Sequence, residues 1–438
     1  MNPLAEQLNQ TIKAAAPHVY DMLSDVGKKL FFPKGILSQS AEAKEKAHAI
    51  NATIGIATTA GGIMCFDSIM ASIHGIAPEA SLTYAPSFGL MDLRRAWQAD
   101  MAAKNPSLAG KPVSLPVVTC GITHGIATFA DLWINPGDVI ILPDMMWGNY
   151  NMIFAVRKGA RIRHYELFNA RGGFNLAALR QAVRQEAADS RKITVLLNFP
   201  QNPSGYSVSE PEADDIVAIL AETAAAGTDV LAVNDDAYFG LFYDPETLQE
   251  SLFARLCGAH PGIVAVKLDG ATKEHCAWGL RVGFITYGGS FKDEAQPLLD
   301  ALERKTAGCI RGTLSNASHL SQTILLKSMQ DDNAAAEKRR AFEILKARAR
   351  RVKAVSTDAA YASAWEVYPF NSGYFMCIRL KTVNAEALRV HLLDRYGVGL
   401  IALGEHNLRI AFSCTEENDV KTLFDTIFEG VRDLEKNR

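Results

Sequence analysis

The sequence predicts an α/β protein. Its large domain has a mostly parallel seven-stranded sheet covered by helices, and a smaller α+β domain is built from both chain ends. Two observations carry this prediction. From about residue 117 onward, seven short apolar runs alternate with helical stretches, as in parallel sheets that are buried on both faces. After about residue 320, a long helical region is followed by strand-like runs and an amphipathic helix.

The predicted elements follow one another in a simple order. The strands of the large sheet are predicted at 117–120, 138–143, 161–167, 193–199, 229–235, 262–268 and 281–287. In the tail, the long helical region breaks near 331–333, a helix closes at Gly397, and a last strand covers 407–413. The domains are predicted as 1–65 for the N-terminal part of the small domain, 66–325 for the large domain and 326–438 for the C-terminal part of the small domain.

Composition limits the function classes. The 438 residues carry a net charge of −3, so no basic surface favours nucleic acid or an anionic membrane. No apolar run reaches the ~18 residues of a membrane-spanning helix, and the first residues do not resemble a signal or transit peptide. The seven cysteines are scattered without metal-ligand spacing. We therefore expect a cytoplasmic protein with reduced thiols and no metal site.

Chemistry in a parallel sheet gathers at the carboxyl ends of its strands, so the residues that follow each predicted strand are the candidates for a site. After the first strand, "TCGITHG" leads through a glycine turn into a helix, whose amides at Gly121, Ile122 and Thr123 would bind an anion. After the second strand comes Trp147, which could stack on a planar ligand. No dinucleotide or Walker fingerprint is present, which disfavours those phosphate sites.

The next three strand ends carry the reactive groups. "PQNPSG" forms a turn that presents Asn202. "NDDAY" places Asp235 and a second carboxylate at the end of a buried strand, followed by Tyr238, and packing alone does not explain them. Finally, Lys273 follows a predicted buried strand, and a lysine at the rim of a low-dielectric site loses its proton more easily. Arg281, on the next strand, has a planar guanidinium suited to binding phosphate.

Together these groups meet the requirements for binding pyridoxal phosphate, namely an anion site, an aromatic side chain for stacking, a buried carboxylate and an amine that forms an imine. The same stretches resemble the motifs of the class I aminotransferases of the aspartate aminotransferase fold. "NFPQNPSG" is similar to the family element Asn-Pro-x-x-Asn-Pro-[Thr/Ser]-Gly, "DDAY" to Asp-x-Ala-Tyr, and "TKEHCAWGLRVG" to [Ser/Thr]-Lys-x7-Arg-x-Gly. Weaker resemblances cover "YAPSFGLMDLR" (84–94), "WGN" (147–149) and "NLRIAFS" (407–413), so that the matches span about residues 51–413.

The resemblance implies a role for each matching residue. Lys273 would carry the cofactor as a Schiff base and then act as the general base, and Asp235 would keep the ring nitrogen protonated. Asn202 and Tyr238 would bond the ring oxygen, and Trp147 would stack on the ring. The phosphate would be held by Gly121, Ile122, Thr123, Thr272 and Arg281, together with Tyr84 of the partner subunit in a homodimer. Arg409 would bind the substrate α-carboxylate near Gly55 and Asn202.

Several positions depart from the family pattern or extend it. Gly270 stands where relatives often have a phosphate-binding serine, which suggests fewer phosphate donors. Tyr150 replaces a histidine behind the ring carboxylate, and His275 and Cys276 beside the lysine are interpreted as packing residues. "CIRGTLSNASHLSQ" resembles a segment in which the arginine, here Arg311, reaches across the dimer to a distal substrate carboxylate. A solvated arginine is the alternative interpretation of that segment.

The sequence therefore predicts a pyridoxal phosphate-dependent aminotransferase. It would move an amino group from an L-amino acid, such as aspartate or glutamate, to a 2-oxo acid by a ping-pong mechanism. A lyase or synthase with the same cofactor residues is the main alternative, because it would use the same site. A cofactor-binding regulator is disfavoured by the intact lysine, and a Rossmann dehydrogenase by the missing glycine fingerprint.

Overall fold

Fifteen strands form the sheets in the computed structural model, which describes residues 1–32, 35–291 and 295–436. They are β1 Ile50–Asn51, β2 Thr58–Thr59, β3 Gly62–Ile63, β4 Val117–Thr119, β5 Val139–Pro143, β6 Arg161–Tyr165, β7 Lys192–Asn198, β8 Asp229–Asp235, β9 Ile263–Gly270, β10 Gly283–Gly289, β11 Trp365–Val367, β12 Phe375–Leu380, β13 Val398–Gly399, β14 Ile401–Leu403 and β15 Asn407–Ala411. Seven of them, β4 to β10, make the central sheet of the large domain.

Sixteen α-helices cover these sheets within the described residues. They are α1 Pro3–Ala15, α2 Pro17–Met22, α3 Asp25–Lys29, α4 Ile36–Lys46, α5 Asp67–Ser72, α6 Met91–Lys104, α7 Gly121–Trp133, α8 Leu176–Asp189, α9 Glu210–Ala225, α10 Leu252–Leu256, α11 Ala271–Glu274, α12 Ala295–Thr313, α13 His319–Met329, α14 Ala334–Ser356, α15 Ala385–Tyr396 and α16 Val420–Lys436. Among the described residues, no helix is long and apolar enough to cross a membrane.

The central sheet has the order β4-β10-β9-β8-β7-β5-β6. Only β10 runs antiparallel to its two neighbours, β4 and β9, and the other pairs that the strands form are parallel. Both faces are buried, because alternate residues of β5 enter different cores. Ile140 and Leu142 pack into one core, and Val139 and Ile141 pack into the other. The prediction of a mostly parallel, doubly covered seven-stranded sheet is confirmed.

The observed strand bounds differ from the predicted ones by no more than two residues, and local geometry explains the largest shift. The strand predicted at 281–287 starts at Gly283, because Arg281 has a φ of 53°. That left-handed conformation does not fit an extended strand. The strand predicted at 407–413 ends at Ala411, where the chain turns into a short 3₁₀ helix.

The smaller domain surrounds a four-stranded antiparallel sheet with the order β11-β12-β15-β14. The predicted break in its long helical region lies between α13 and α14, and α15 ends at Gly397 with a φ of 65°. Strand β1 pairs in parallel with β13, which attaches the segment near residue 50 to the C-terminal part of the chain. The exact domain boundaries at residues 65 and 325 stay a prediction.

Candidate active site

A cavity of about 120 Å³ opens beyond the carboxyl ends of the parallel strands β7, β8 and β9. These strand ends meet at one edge of the sheet, which is where ligand sites form in open α/β sheets. The cavity brings together nine of the predicted residues and three others. Its lining consists of Ile122, Thr123, Trp147, Tyr150, Asn198, Asn202, Asp235, Ala237, Tyr238, Thr272, Lys273 and Arg281.

Lys273 points its amine into this cavity from α11, which starts directly after β9. Its Nζ lies 4.7 Å from the centroid of the Tyr238 ring, and the Tyr374 hydroxyl donates to the Lys273 carbonyl oxygen at 3.2 Å. Removal from water lowers the pKa of Lys273 to about 8, with the Asp235 charge opposing the shift and Arg281 adding to it. A substantial fraction of this amine is therefore neutral near physiological pH.

Asp235 is the last residue of β8 and is buried at the base of the cavity. Its Oδ2 accepts a hydrogen bond from the Tyr150 hydroxyl at 2.5 Å, and its Oδ1 accepts one from the Ala237 amide at 3.1 Å. Burial raises the pKa of Asp235 to about 6, while the Tyr150 hydroxyl and the Lys273 charge hold it below the value that burial alone would give.

The adjacent carboxylate belongs to a separate buried cluster. Asp236 forms an ion pair with Lys267 on β9 and accepts a hydrogen bond from the Ser251 hydroxyl at 2.6 Å. Lys267 also lies 3.4 Å from Asp269, whose carboxylate accepts from the Trp97 indole at 3.1 Å. Asp236 is absent from the cavity lining. The two neighbouring carboxylates therefore have different surroundings and different chemistry.

The opposite end of the cavity has the character of an anion site. Helix α7 begins at Gly121, and its first-turn residues Ile122 and Thr123 line the cavity. Gly121 has a φ of 73°, and a Cβ built there would lie 2.4 Å from Nη2 of Arg281. Only glycine therefore lets the guanidinium close over the helix N-terminus. Thr272, buried at the start of α11, also lines this end.

Close backbone packing also accounts for Gly270 and Gly283, which face each other across β9 and β10. A Cβ on Gly270 would lie 2.6 Å from the carbonyl oxygen of Val282, and one on Gly283 would lie 2.8 Å from the Ile122 amide nitrogen. A serine at position 270 would require the backbone to shift. The glycine at that position is therefore a packing requirement of this chain.

A buried guanidinium lies next to the cavity on the small-domain side. Arg409, on β15, donates to the Thr53 carbonyl oxygen at 2.8 Å and to the Asn202 side-chain oxygen at 3.4 Å. Its guanidinium carbon lies 4.1 Å from the centroid of the Phe375 ring. Burial lowers the pKa of Arg409, although an arginine remains charged in proteins. Gly55 lies against the same Phe375 ring, since a Cβ there would be 3.4 Å from its Cζ atom.

Five predicted residues are absent from the cavity lining. Gly55, Gly121 and Arg409 lie beside lining residues, whereas Tyr84 and Arg311 are exposed. Tyr84 is 92% exposed. Arg311 is exposed at the end of α12, where its Nη1 donates to the Ser315 hydroxyl at 2.7 Å. Both were expected to act across a dimer, and the roles of all the predicted residues remain predictions.

Two residues of the lining, Asn198 and Ala237, were missed by sequence reasoning, and a third, Tyr150, was named without a binding role. Asn198 accepts from the Asn202 amide at 2.9 Å and donates to the Asp235 carbonyl oxygen at 2.7 Å, so it joins two strand ends. The sequence did contain a signal for two of these residues, because Asn198 is the first residue of the "NFPQNPSG" element and Ala237 lies inside "DDAY". For Tyr150, the resemblance implied a place behind the ring carboxylate, and the structure adds the hydrogen bond from its hydroxyl to Asp235.

The residues beside Lys273 face away from the cavity. The His275 ring is buried, with its centroid 5.6 Å from Trp97 and 6.2 Å from Phe66, and Cys276 is buried nearby. Burial lowers the pKa of His275. Asp100, Glu274 and His275 lie close enough for one ion, yet Lys104 already forms ion pairs with both carboxylates. The Lys104 ammonium group thus already occupies the position that a metal ion would take.

Fold and cavity together define an α/β protein whose candidate site combines an amine, a buried carboxylate and, at the other end, an arginine beside a helix N-terminus. Comparison with protein families identifies it further, because the model of aminotransferase class I and II matches residues 48–427. The chain belongs to this family. Within the described residues, the cavity lies inside the matched range.

Individual relatives agree with the family match. A probable N-acetyl-LL-diaminopimelate aminotransferase of Bacillus subtilis is 24% identical over 366 residues, which is 82% of each chain. An aspartate aminotransferase of Bacillus sp. (strain YM-2) is 25% identical and covers 58% of this chain and 62% of its own length. These names place the chain among aminotransferases, and the lyase or synthase alternative is not favoured.

Solved structures share the fold. A crystal structure of an aminotransferase from Anaerococcus prevotii has a TM-score of 0.80 at 23% identity, covering 93% of this chain and 98% of that one. Thermus thermophilus LysN, an α-aminoadipate aminotransferase complexed with N-(5'-phosphopyridoxyl)-L-leucine, has a TM-score of 0.71 at 18% identity, covering 91% of this chain and 98% of its own. At these sequence identities, the comparison with solved structures shows that the fold is shared.

Proposed function

We propose that the cavity holds pyridoxal 5'-phosphate and that this aminotransferase uses it to exchange amino groups between an L-amino acid and a 2-oxo acid. One observation carries the proposal. Lys273, Asp235 and Arg281 line a single cavity, at the ends of separate elements that the fold brings together. The family match supports the reaction class.

The groups present fit the cofactor at each end. The phosphate would be bound by Arg281, by Thr272 and by the N-terminus of α7, where Gly121 allows the guanidinium to approach the helix closely. The ring would lie against Trp147, with Asp235 facing its nitrogen. Asn202 and Tyr238 would bond the ring oxygen. The amine of Lys273, with its lowered pKa, suits covalent capture of an aldehyde.

When bound, the cofactor supplies an aldehyde that captures the substrate amine and a ring that accepts electron density from the substrate α-carbon. Lys273 Nζ would take the α-proton and return it, because burial leaves this amine close to neutral. The Asp235 carboxylate would hold the proton on the ring nitrogen, since it lies in a low-dielectric site where a paired charge is stabilised strongly.

Arg409 would bind the α-carboxylate of the substrate. The guanidinium is buried beside Asn202 and over the Phe375 ring that Gly55 also approaches, and its Nε has no hydrogen-bond partner among the described residues. A buried unsatisfied donor is costly unless a ligand completes it. The relatives named aspartate aminotransferases make aspartate or glutamate the first donors to try.

A homodimer is part of this proposal, because Tyr84 and Arg311 would serve the partner's site. Their segments belong to one exposed surface. The Ser87 hydroxyl donates to the Ser315 carbonyl oxygen at 2.8 Å, and the Thr83 hydroxyl lies 3.0 Å from the His319 ring nitrogen. Exposed apolar side chains, including Leu82 at 82% exposure, support a partner on this surface. All seven cysteines are free thiols, which supports a cytoplasmic location.

The test is spectroscopic. Purified protein mixed with pyridoxal phosphate should gain a visible absorption band, which should bleach with an amino donor and return with a 2-oxo acid. A panel of donors identifies the substrate class. Pyruvate release without bleaching would favour a lyase, and failure to bind pyridoxal phosphate would reject the proposal.

A further inference from the structure

The Tyr150 hydroxyl is oriented by its surroundings toward one partner. The ring is buried, and its centroid lies 5.4 Å from that of Trp147 at an interplanar angle of 87°. Phe154 packs at 6.4 Å on the same side of the sheet. The hydroxyl donates to Oδ2 of Asp235 at 2.5 Å. Edge-to-face packing of this kind restricts the ring, so the hydroxyl has little freedom to leave that oxygen.

The local backbone places Tyr150 at this point. Tyr150 immediately precedes a π-helix, Asn151–Arg157, and its amide donates to the Trp147 carbonyl oxygen at 3.1 Å. A π-helix is rare and is frequently found at functional sites. The turn thus presents Trp147 and Tyr150 to the cavity together, one beside the other.

The hydroxyl acts as a donor. Burial and the neighbouring Asp235 charge raise the pKa of Tyr150 well above its ordinary value, so the hydroxyl keeps its hydrogen. Hydrogen bonds donated to an ionised carboxylate are roughly twice as strong as neutral ones. Other titratable groups around Asp235 are Lys273 on α11, Tyr238 in the turn after β8, and Asp236, the first residue after β8.

We infer that Tyr150 is a positioning residue, whose hydroxyl holds the Asp235 carboxylate ionised and directed into the cavity. This inference rests on the proposed function, in which Asp235 faces the cofactor ring nitrogen. Burial alone would favour the neutral carboxyl, which cannot hold a proton on that nitrogen. Three groups oppose the neutral form, namely the Tyr150 hydroxyl, the Lys273 amine and the Ala237 amide. The Tyr150 hydroxyl is the side-chain donor that remains when Lys273 is occupied by the cofactor.

The test compares Tyr150→Phe with Tyr287→Phe. Both changes remove one buried hydroxyl from the same core, and the Tyr287 hydroxyl lies 2.7 Å from Thr306, away from the cavity. The dissociation constant for pyridoxal phosphate is measured from pH 5 to pH 9 by fluorescence of the full chain. The plot of the dissociation constant against pH should show a break on the acid side, because binding weakens as Asp235 becomes protonated. Asp235→Asn should remove this break, which would assign the break to the Asp235 carboxyl.

Loss of the hydroxyl raises the pKa of Asp235, so the break should move to higher pH in Tyr150→Phe. A hydrogen bond to a charged group corresponds to a shift of about one to two pH units. In the activity assay, kcat should fall roughly 10-fold or more with little change in KM for the donor. Tyr287→Phe should leave both the break and kcat at wild-type values, whatever it does to the melting temperature.

A second variant strengthens the same hydrogen bond instead of removing it. Fluorotyrosine at position 150 keeps the ring and makes the hydroxyl a stronger donor, so the break should move to lower pH. Wild-type protein that fails to bind pyridoxal phosphate would reject the proposed function itself. Wild-type binding with an unmoved break in both Tyr150 variants would overturn the role of Tyr150 and leave the proposed function intact.

Discussion

Asp235 ends β8 and Asp236 follows it directly, yet their carboxylates lie on opposite faces of the central sheet. Asp235 lines the cavity and accepts from Tyr150, whereas Asp236 pairs with Lys267 inside the molecule. Strand alternation explains the separation. Because both carboxylates are buried, each needs partners, and the two sets of partners are different.

This arrangement predicts different consequences for two otherwise identical substitutions. Asp235→Asn should lower kcat by about 100-fold or more, because a neutral side chain no longer stabilises charge on the cofactor ring. Asp236→Asn should leave kcat within a few-fold of wild type but lower the free energy of unfolding by about 3 kcal/mol, because Lys267 loses a buried partner. Steady-state kinetics and urea unfolding measure both. Equal losses of kcat in the two variants would contradict this assignment.

Lys273→Ala should abolish the covalent adduct with pyridoxal phosphate that borohydride reduction traps. Transamination should fall by several orders of magnitude, since covalent capture and proton transfer are lost together. Lys338→Ala is the matched control, because Lys338 lies 3.5 Å from the neighbouring Glu274 but outside the cavity lining. Mass spectrometry of the reduced protein locates the adduct. An adduct on another lysine in Lys273→Ala would show that the assignment is wrong.

The lowered pKa of Lys273 also predicts a pH dependence of stability. In the cofactor-free protein this pKa is about 8, against an ordinary value of 10.5, so between these pH values the unfolded chain binds more protons. Stability should therefore rise with pH across this window, by on the order of 3 kcal/mol relative to Lys273→Met, and the difference should be flat below about pH 7. Urea unfolding of both proteins from pH 6 to 10.5 tests this. Parallel curves would mean that the amine is not desolvated.

Much of the fold followed from the sequence because long apolar strands and their spacing are strong local signals. The ends of β8, β9 and β10 could be located to within two residues, and the left-handed Arg281 explains the displaced start of β10. Such a conformation depends on tertiary contacts, here the close approach of the guanidinium to Gly121, and a local pattern does not reveal it.

The candidate site could be predicted in part for the same reason. Lys273, Asp235 and Asn202 follow strands whose ends meet, so topology alone brings them together. The resemblance placed Tyr150 behind the ring carboxylate and Gly270 at a serine position. It did not reveal the hydrogen bond from Tyr150 to Asp235 or the close approach of Gly270 to the Val282 backbone. Both depend on distances between segments that are remote in the chain.

Arg311 provides the prediction about substrate choice. It is exposed at the end of α12 and bonded only to Ser315 among the described residues, so within one protomer it has no buried role. If it reaches a partner's site, it can pair bidentately with the distal carboxylate of aspartate or glutamate in a dry pocket. Loss of one partner of such a pair costs ~2–5 kcal/mol. Arg311→Leu should then lower kcat/KM for dicarboxylic donors by roughly 30-fold or more.

Two comparisons isolate this effect from a general loss of activity. The same variant should retain kcat/KM for alanine or phenylalanine, whereas Arg409→Leu should lower kcat/KM for every donor, because Arg409 would bind the carboxylate that all of them share. Kinetics with a panel of dicarboxylic and uncharged donors measures both ratios. A wild-type preference for uncharged donors, or an equal loss for all donors in Arg311→Leu, would identify Arg311 as a solvated surface residue. A selective loss for the dicarboxylic donors, with the uncharged ones unaffected, would assign the specificity to its guanidinium.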